Sequence, residues 1–352
     1  MSILTVGIGQ AFATLAGAVA ASGSFDTINV LAGTYTDDFT TISHPLTINA
    51  IGGMASFVAV APPPNHKAIM TVGADLSLNG LEFSGAAVSA GYGGNGAGIR
   101  FEAGNLSISN SWFHDNQNGI LTAANPTATL TISNSEFNNN GSGTGLTHNL
   151  YVGDIASLSI TGSYFHDANV GNQIKSRAEA NSITNTVIAD GANGNGSYSI
   201  DLPNGGQNTV TGNTLQKGPN SQNTHYVAVG EEGSVHPGSA TLIGNNIFIN
   251  HVGAGSSPFA LLNHSGTPVT LAENTFYGFP GTHVDGSATQ RDNTLLPLPA
   301  PAYDTSHPFL PQPAAVPEPM SFMLLLPMLA VMLALRRRQR RHATQPIAAC
   351  IH

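Results

Sequence analysis

Short apolar runs recur along this chain in one arrangement. Two alternating β-type residues are followed by Asn or Gly, then a small polar residue, then an aromatic or aliphatic one. Seven segments share it: LSISNSWF (106–113), LTISNSEF (130–137), LSITGSYF (158–165), NSITNTVI (181–188), NTVTGNTL (208–215), ATLIGNNI (240–247) and VTLAENTF (269–276). The apolar residues that mark the phase, Ile108, Ile132, Ile160, Ile183, Val210, Leu242 and Leu271, are 24, 28, 23, 27, 32 and 29 residues apart, and a fainter copy spans 78–83. Alternation has the period of a strand and not of a helix. Short strands repeated at this interval predict a solenoid, because a single coil cannot bury its apolar face except against its neighbours.

Two further columns follow from the same phase. Two residues after each marker stand Asn110, Asn134, Gly162, Asn185, Gly212, Gly244 and Glu273. Most are types that tolerate positive φ, so this column predicts a left-handed corner between strands. One step later come Ser111, Ser135, Ser163, Thr186, Asn213, Asn245 and Asn274, a predicted ladder of side chains bonded from rung to rung. The fold class is therefore all-β, a parallel β-helix solenoid over residues 25–292. Its expected coil sense is right-handed, as parallel crossovers overwhelmingly are. The opening, TVGIGQAFATLAGAVAAS then DTINVLAGTYTDDF, resembles the start of many right-handed β-helix proteins. That resemblance implies an N-terminal cap (1–24) with a short helix near 10–22.

Composition agrees and adds limits. Charged residues are 9% of the chain, and 40 glycines favour turns and strands over long helices. The single cysteine, Cys350, leaves the coil without disulfide or thiol chemistry, and no Cys/His metal spacing occurs. Five of the eleven basic residues lie in one C-terminal cluster, leaving six against nineteen acids in residues 1–315, a net charge near −13. A general nucleic-acid surface is excluded on that charge.

The C-terminus reads separately. A Pro-rich linker (293–316) leads to Pro317-Glu318-Pro319, an apolar run from Met320 to Leu335, and the basic cluster Arg336, Arg337, Arg338, Arg340 and Arg341, followed by a tail (342–352). Residues 317–341 resemble the PEP-CTERM sorting signal of Gram-negative bacteria that make exopolysaccharide. The resemblance implies export to the cell envelope, a hydrophobic anchor helix held at least transiently in the inner membrane, and an exosortase-type processing enzyme as partner. The arginines would remain cytoplasmic. No Lys or Arg precedes Lys67, so residues 11–21 lack the n-region of a signal peptide. The expectation is an upstream start or another export route.

The strand before each marker bears on function. Aligning Ile99, Ile120, Leu150, Ile174, Ile200 and Val227 as buried residues makes the next column, Arg100, Leu121, Tyr151, Lys175, Asp201 and Ala228, face outward. The columns one pleat to either side add Asn149, Gln173 and Ser199, and Arg177. With rungs ~4.8 Å apart, Tyr151, Lys175, Arg177 and Asp201 form a candidate catalytic patch, flanked by Asn149, Gln173, Ser199 and Asn204 as candidate substrate-binding residues. Lys175 or Arg177 would neutralise a uronate carboxylate and so acidify its C5 proton. Tyr151, beside Lys175, is a candidate general base or acid, and Asp201 would hold Lys175 oriented. His148 and His166 are candidates for a second proton-transfer group. The outcome would be β-elimination or C5 epimerisation of an acidic polysaccharide.

Residues 147–206 (THNLYVG, SYFHDANVGNQIKSRA, SYSIDLPNGG) with VGEEG (229–233) resemble a group of bacterial right-handed β-helix proteins. Known β-helix alginate lyases use a Lys and an Arg, and β-helix mannuronan C5-epimerases use Tyr, His, Lys and Asp on the same kind of sheet face. The residue types correspond, whereas the epimerase Asp-Pro-His-Asp type motif is absent. The steps His114-Asp115 and His166-Asp167 fall at equivalent repeat positions and read first as corner residues. Glu231-Glu232 reads as a solvated acidic loop, with Ca²⁺ the one cofactor it would suit. The alternative to an enzyme is a non-catalytic surface rod that binds exopolysaccharide.

Overall fold

A computed structural model describes residues 1–252, 258–280 and 283–298. The repeats form a parallel β-solenoid whose strands run in three ladders. The first includes Asn105–Ser109, Asn125–Ser133, Ile155–Thr161, Ala180–Thr184 and Gln207–Thr211. After a corner, the second ladder takes Trp112–His114, Glu136–Asn138, Tyr164–His166 and Val187–Ala189. A third sheet of ten parallel strands, among them Ala97–Phe101, Asn118–Thr122, Leu150–Val152, Ile174–Ser176 and Ile200–Leu202, closes each turn. The outward column foreseen on this sheet is in register: Arg100 pairs Leu121, Leu121 pairs Tyr151, Tyr151 pairs Lys175 and Lys175 pairs Asp201.

The corner behaves as its residue types require. Asn110, Asn134, Gly162, Asn185 and Gly212 all have φ between 45° and 70°. Phase slips once. Val210 pairs with Ile243 and not with Leu242, so the left-handed residue of that rung is Asn245 (φ 53°) and the ladder residue is Asn246. Leu242 instead pairs with Thr209 and is 37% exposed. Two adjacent β-formers gave the alternation no means of choosing between them. The ladder itself runs from Ser111 through Ser135, Ser163, Thr186, Asn213, Asn246 and Asn274, each side chain accepting from the backbone N–H of the preceding rung. It pairs backbone donors that the turn would otherwise leave buried and unsatisfied.

The core is a stack of like on like. Ile108, Ile132, Ile160, Ile183, Val210 and Ile243 are fully buried. Phe83, Phe113, Phe137 and Phe165 stack in sequence with centroids 5.2, 4.6 and 4.5 Å apart. Between the second and third ladders a buried amide chain threads the coil. Asn116 Nδ2 donates to Asn140 Oδ1 (3.0 Å), Asn140 Nδ2 to Asn149 Oδ1 (2.8 Å), Asn149 Nδ2 to Gln173 Oε1, and Gln173 Nε2 to Asp190 Oδ1 (2.8 Å). Lys217, fully buried, closes the chain on Asp190 Oδ2 at 2.9 Å.

The cap is smaller than expected. Its helix is Leu15–Ala21, started by Thr14 Oγ1, which accepts from Gly17 N at 3.2 Å, and by the Asp38 carboxylate, which accepts from Leu15 N and Ala16 N. Leu15, Ala18 and Val19 lie over the first turn. Coiling starts before residue 25, since Ile3–Val6 already pairs with Asp26–Thr36. It also runs past 292 into the Pro-rich segment, where Thr294–Leu296 pairs with Thr275–Tyr277. Among the described residues no helix is long and apolar enough to cross a membrane. The sorting signal, with Pro317, Glu318, Pro319, the apolar run and Arg336, Arg337 and Arg338, lies outside the described residues.

Candidate functional site

Where the third sheet meets the loop after Val229, a groove of about 670 Å³ opens; Arg100, Leu121, His148, Tyr151, Lys175, Arg177 and Glu232 are among its lining residues. Tyr151, Lys175 and Arg177 come together as the strand period requires. Arg177 Nε donates to the Tyr151 phenolic oxygen at 3.0 Å, and Arg177 Nη1 donates to Asn204 Oδ1 at 2.6 Å. The hydrogen-bonded neighbour of Tyr151 is thus Arg177, in place of the expected Lys175.

Lys175 turns to the other side. Its Nζ is 3.0 Å from Asp201 Oδ2, which also accepts from Asn172 Nδ2 at 2.9 Å. Burial pushes the Asp201 carboxyl above the ordinary carboxylate range, although the charge and hydrogen bond of Lys175 pull against it. Burial works against the ammonium, but Asp201 and Glu232 outweigh it and hold Lys175 above the ordinary lysine range. Asp201 is 2% exposed, and among the described residues its Oδ1 has no hydrogen-bond partner.

Glu232, read from the sequence as part of a solvated acidic loop, belongs instead to this cluster. Its carboxylate bonds both Lys175 Nζ and Arg177 Nη2. Burial pushes it up, yet the hydrogen bonds and charges of Lys175 and Arg177 bring it below the usual Glu range. Gly230, with φ +81°, turns the chain out of the strand. Asn204 Nδ2 then holds the loop by donating to the carbonyls of Glu232 (3.2 Å) and Ser234 (2.8 Å). Asn204 therefore positions Arg177 and the loop. A contact 55 residues away in sequence carries no periodic signal; the only clue was that VGEEG follows the strand paired with Ile200–Leu202. Glu231 faces His264, with Nδ1 2.9 Å from its Oε1. Among the described residues no three His, Cys, Asp or Glu side chains gather as a metal site.

Three of the candidate binding residues face elsewhere. Asn149 and Gln173 are fully buried in the amide chain, and Ser199 is 1% exposed. The two-residue period does not extend back to them, because the strands begin at Leu150, Ile174 and Ile200 and the chain is still rounding the corner before that. Gly98 occupies the equivalent place one rung from Gly119, and a Cβ there would meet Phe83 and Phe113 in the core.

The two histidines also separate. His166 belongs to the second ladder, with Nδ1 2.7 Å from Asp167 and Nε2 3.1 Å from Glu136. His114 repeats this between Asp115 and Glu82. The His-Asp steps do sit at corners, where Asp115 and Asp167 have positive φ. His148 does line the groove, stacked on Tyr151 with centroids 5.6 Å apart. Burial, then the charge of Lys175, pushes it down to about 3, so it is neutral. Its Nδ1 accepts from Asn172 N at 2.9 Å, which puts its proton on Nε2. In that state His148 offers the groove a hydrogen-bond donor and not a base. A second groove of about 680 Å³ runs along the corner holding Asp115, Asn139 and Asp167 and has no basic residue in its lining. The cations single out the first groove for anion chemistry.

No protein-family model matches the chain, and a search of curated proteins returns no match. Solved structures do. The alginate lyase from Paenibacillus sp. str. FPU-7 superposes with a TM-score of 0.60 at 16% identity, over 83% of this chain and 99% of that one. ORF18 of Geobacillus virus E2 gives 0.50 at 12% identity, over 78% of this chain and 53% of that one. At these identities the likeness shows the fold, a parallel β-helix shared with a polysaccharide lyase.

Proposed function

We propose that the protein acts on an acidic polysaccharide laid along the groove, by β-elimination at a uronate. The observation that carries this is the convergence of Tyr151, Arg177 and a charged Lys175 in one open groove. Arg177 would pair the uronate carboxylate and so stabilise the enolate-like charge that develops as C5 loses its proton. Tyr151, as phenolate, would take that proton; the C5–H electron pair becomes the C4=C5 bond, the C4–O4 bond breaks, and Lys175 gives O4 a proton. His148 Nε2–H would bind a sugar oxygen. Return of a proton to C5 from the opposite face would instead give the epimer. The fold shared with an alginate lyase supports the substrate class by analogy of scaffold only.

Glu232 shapes the proposal. With Asp201 it balances Lys175 and Arg177, so an incoming carboxylate must exchange with Glu232. That balance also favours the second reading, a rod that binds exopolysaccharide without turning it over. The test is incubation of the protein with polygalacturonate and alginate, following unsaturated products by ultraviolet absorbance and epimerised residues by proton NMR. Lys175→Ala and Arg177→Ala should abolish turnover in a coil that still melts cooperatively. A folded wild type that binds but changes neither polymer would establish the rod.

The reading extends to location. Right-handed coiling, export, anchoring in the inner membrane through 317–341 and processing by an exosortase-type enzyme are inferred from sequence resemblance. Together they would bring the groove to exopolysaccharide at the envelope.

A further inference from the structure

We propose that Arg100 is a second carboxylate-binding position of this groove, so that an acidic oligosaccharide is read across three rungs on one side of Lys175 while the other side is closed to polyanions. The proposal rests on the polysaccharide reading and adds to it a length requirement and a direction.

Arg100 lines the same groove as Lys175 and Arg177. Three steps of register separate it from Lys175, through Leu121 and Tyr151. At ~4.8 Å per rung that is ~14 Å, longer than one sugar ring. Its guanidinium is under-used. Among the described residues Arg100 Nε is buried without a hydrogen-bond partner, and the nearest acid, Glu102, stands 3.8 Å off. Glu102 is itself taken by Lys67 Nζ at 2.5 Å. The side chain as a whole is 24% exposed, and a planar carboxylate is the partner its guanidinium fits best.

The floor between the cations is apolar. Leu121 packs with Ala68 and Ala97, and Tyr151 lies against that cluster. A polymer that alternates carboxylates with the C–H faces of sugar rings matches this order of cation, apolar floor, cation pair. The groove's other charges are Asp154 and Glu232, so its lining is net cationic by one. Beyond Lys175 the sign reverses. Asp201 comes next, then Ala228, Leu262 and Asp285 in the same column, with Glu231 in the adjoining loop. Asp201, Asp285 and Glu232 all hold Glu231 above its ordinary range, after burial, although His264 opposes them. Asp285 is exposed and Glu231 half-buried, so repeated uronates would meet like charge from these two side chains.

The test is calorimetric titration of the full chain, in a Tyr151→Phe background that blocks turnover and keeps the ring, with digalacturonate, pentagalacturonate and neutral cellopentaose. Arg100→Ala should weaken pentagalacturonate binding roughly tenfold, the loss of one charge-assisted contact, and leave digalacturonate unchanged. Arg100→Lys should recover part of the loss. Arg100→Gln serves if the alanine variant does not fold. Pentagalacturonate affinity untouched by Arg100→Ala, or equal losses for both lengths, overturns the second position alone. Absence of binding to either uronate, or equal binding of cellopentaose, overturns the polysaccharide reading and this proposal with it.

Discussion

Replacing Glu232 by Gln should raise the affinity of the groove for uronates, a direction opposite to that expected for an ordinary lining residue. Glu232 bonds both Lys175 and Arg177, and Asp201 supplies the second negative charge. The variant keeps the shape and a hydrogen-bonding carbonyl but leaves the four-residue cluster with a net charge of about +1. Two contacts at a few ångströms would be worth several kcal/mol at an effective dielectric constant of about 20. The Glu232 side chain is 48% exposed, however, so screening reduces the effect to about 1–2 kcal/mol. Competition relieved by that amount corresponds to roughly 5–30-fold tighter binding. The loop should stay in place, because Asn204 holds it through backbone carbonyls and His236 N donates to Asn204 O. Titration with pentagalacturonate at low and at raised salt measures the change, which should shrink with salt. Unchanged or weaker binding in a variant that melts like wild type would refute the view that Glu232 stands in for a substrate carboxylate.

Other outcomes follow from the same geometry. Lys217→Ala should cost about 3–5 kcal/mol by stranding Asp190 inside the coil, whereas pairing Lys217→Met with Asp190→Leu should recover much of it; thermal melts decide. Asn246→Ala should destabilise by about 1–3 kcal/mol, because it removes the acceptor for Asn213 N and the donors to Val210 O and Asn274 Oδ1. His114 and His166 are held above the ordinary histidine range: burial opposes their charge, but hydrogen bonds to Glu82 and Asp115, and to Asp167 and Glu136, outweigh it. Their stabilisation should be complete below pH about 6.5 and be lost as pH rises through their raised values; a melting temperature flat across that range in wild type, or still falling in a His114→Gln, His166→Gln double variant, would contradict this. Deleting 317–352 should leave a soluble coil with an unchanged melt, while aggregation would show that the tail belongs to the fold.

Much of the coil was legible because its signals are local and repeated. Asn110, Asn134 and Asn185 mark corners by backbone preference alone, and the column from Arg100 to Asp201 followed from strand alternation. The phase failed where alternation was ambiguous, at Leu242 beside Ile243. It failed again where alternation had ended, so Asn149 and Gln173 appeared on the outer face although the chain there is turning. His166 was misplaced for a related reason: it lies close to the patch in sequence but on the strand of another ladder. Glu232 and the orientation of Asn204 depend on a loop folding back over two rungs, and nothing in a repeat encodes where such a loop lands.

The buried amide chain has a consequence for how such a coil can evolve. From Asn116 to Gln173 every side chain gives its NH₂ to the next carbonyl oxygen, and the last NH₂ meets the Asp190 carboxylate, with Lys217 beyond. The dipoles therefore share one polarity, with their positive ends toward the buried anion. Reversing any one amide would set donor against donor on one side and acceptor against acceptor on the other. Duplication or loss of a rung, the ordinary way a solenoid changes length, would break this sequence of partners unless the new rung supplied an amide of matching reach. The Ser, Thr and Asn ladder imposes no such bar, since each rung repeats the same bond. In this protein the stretch from 116 to 217 is therefore a numbered segment within an otherwise extensible repeat, and insertions should be found on either side of it.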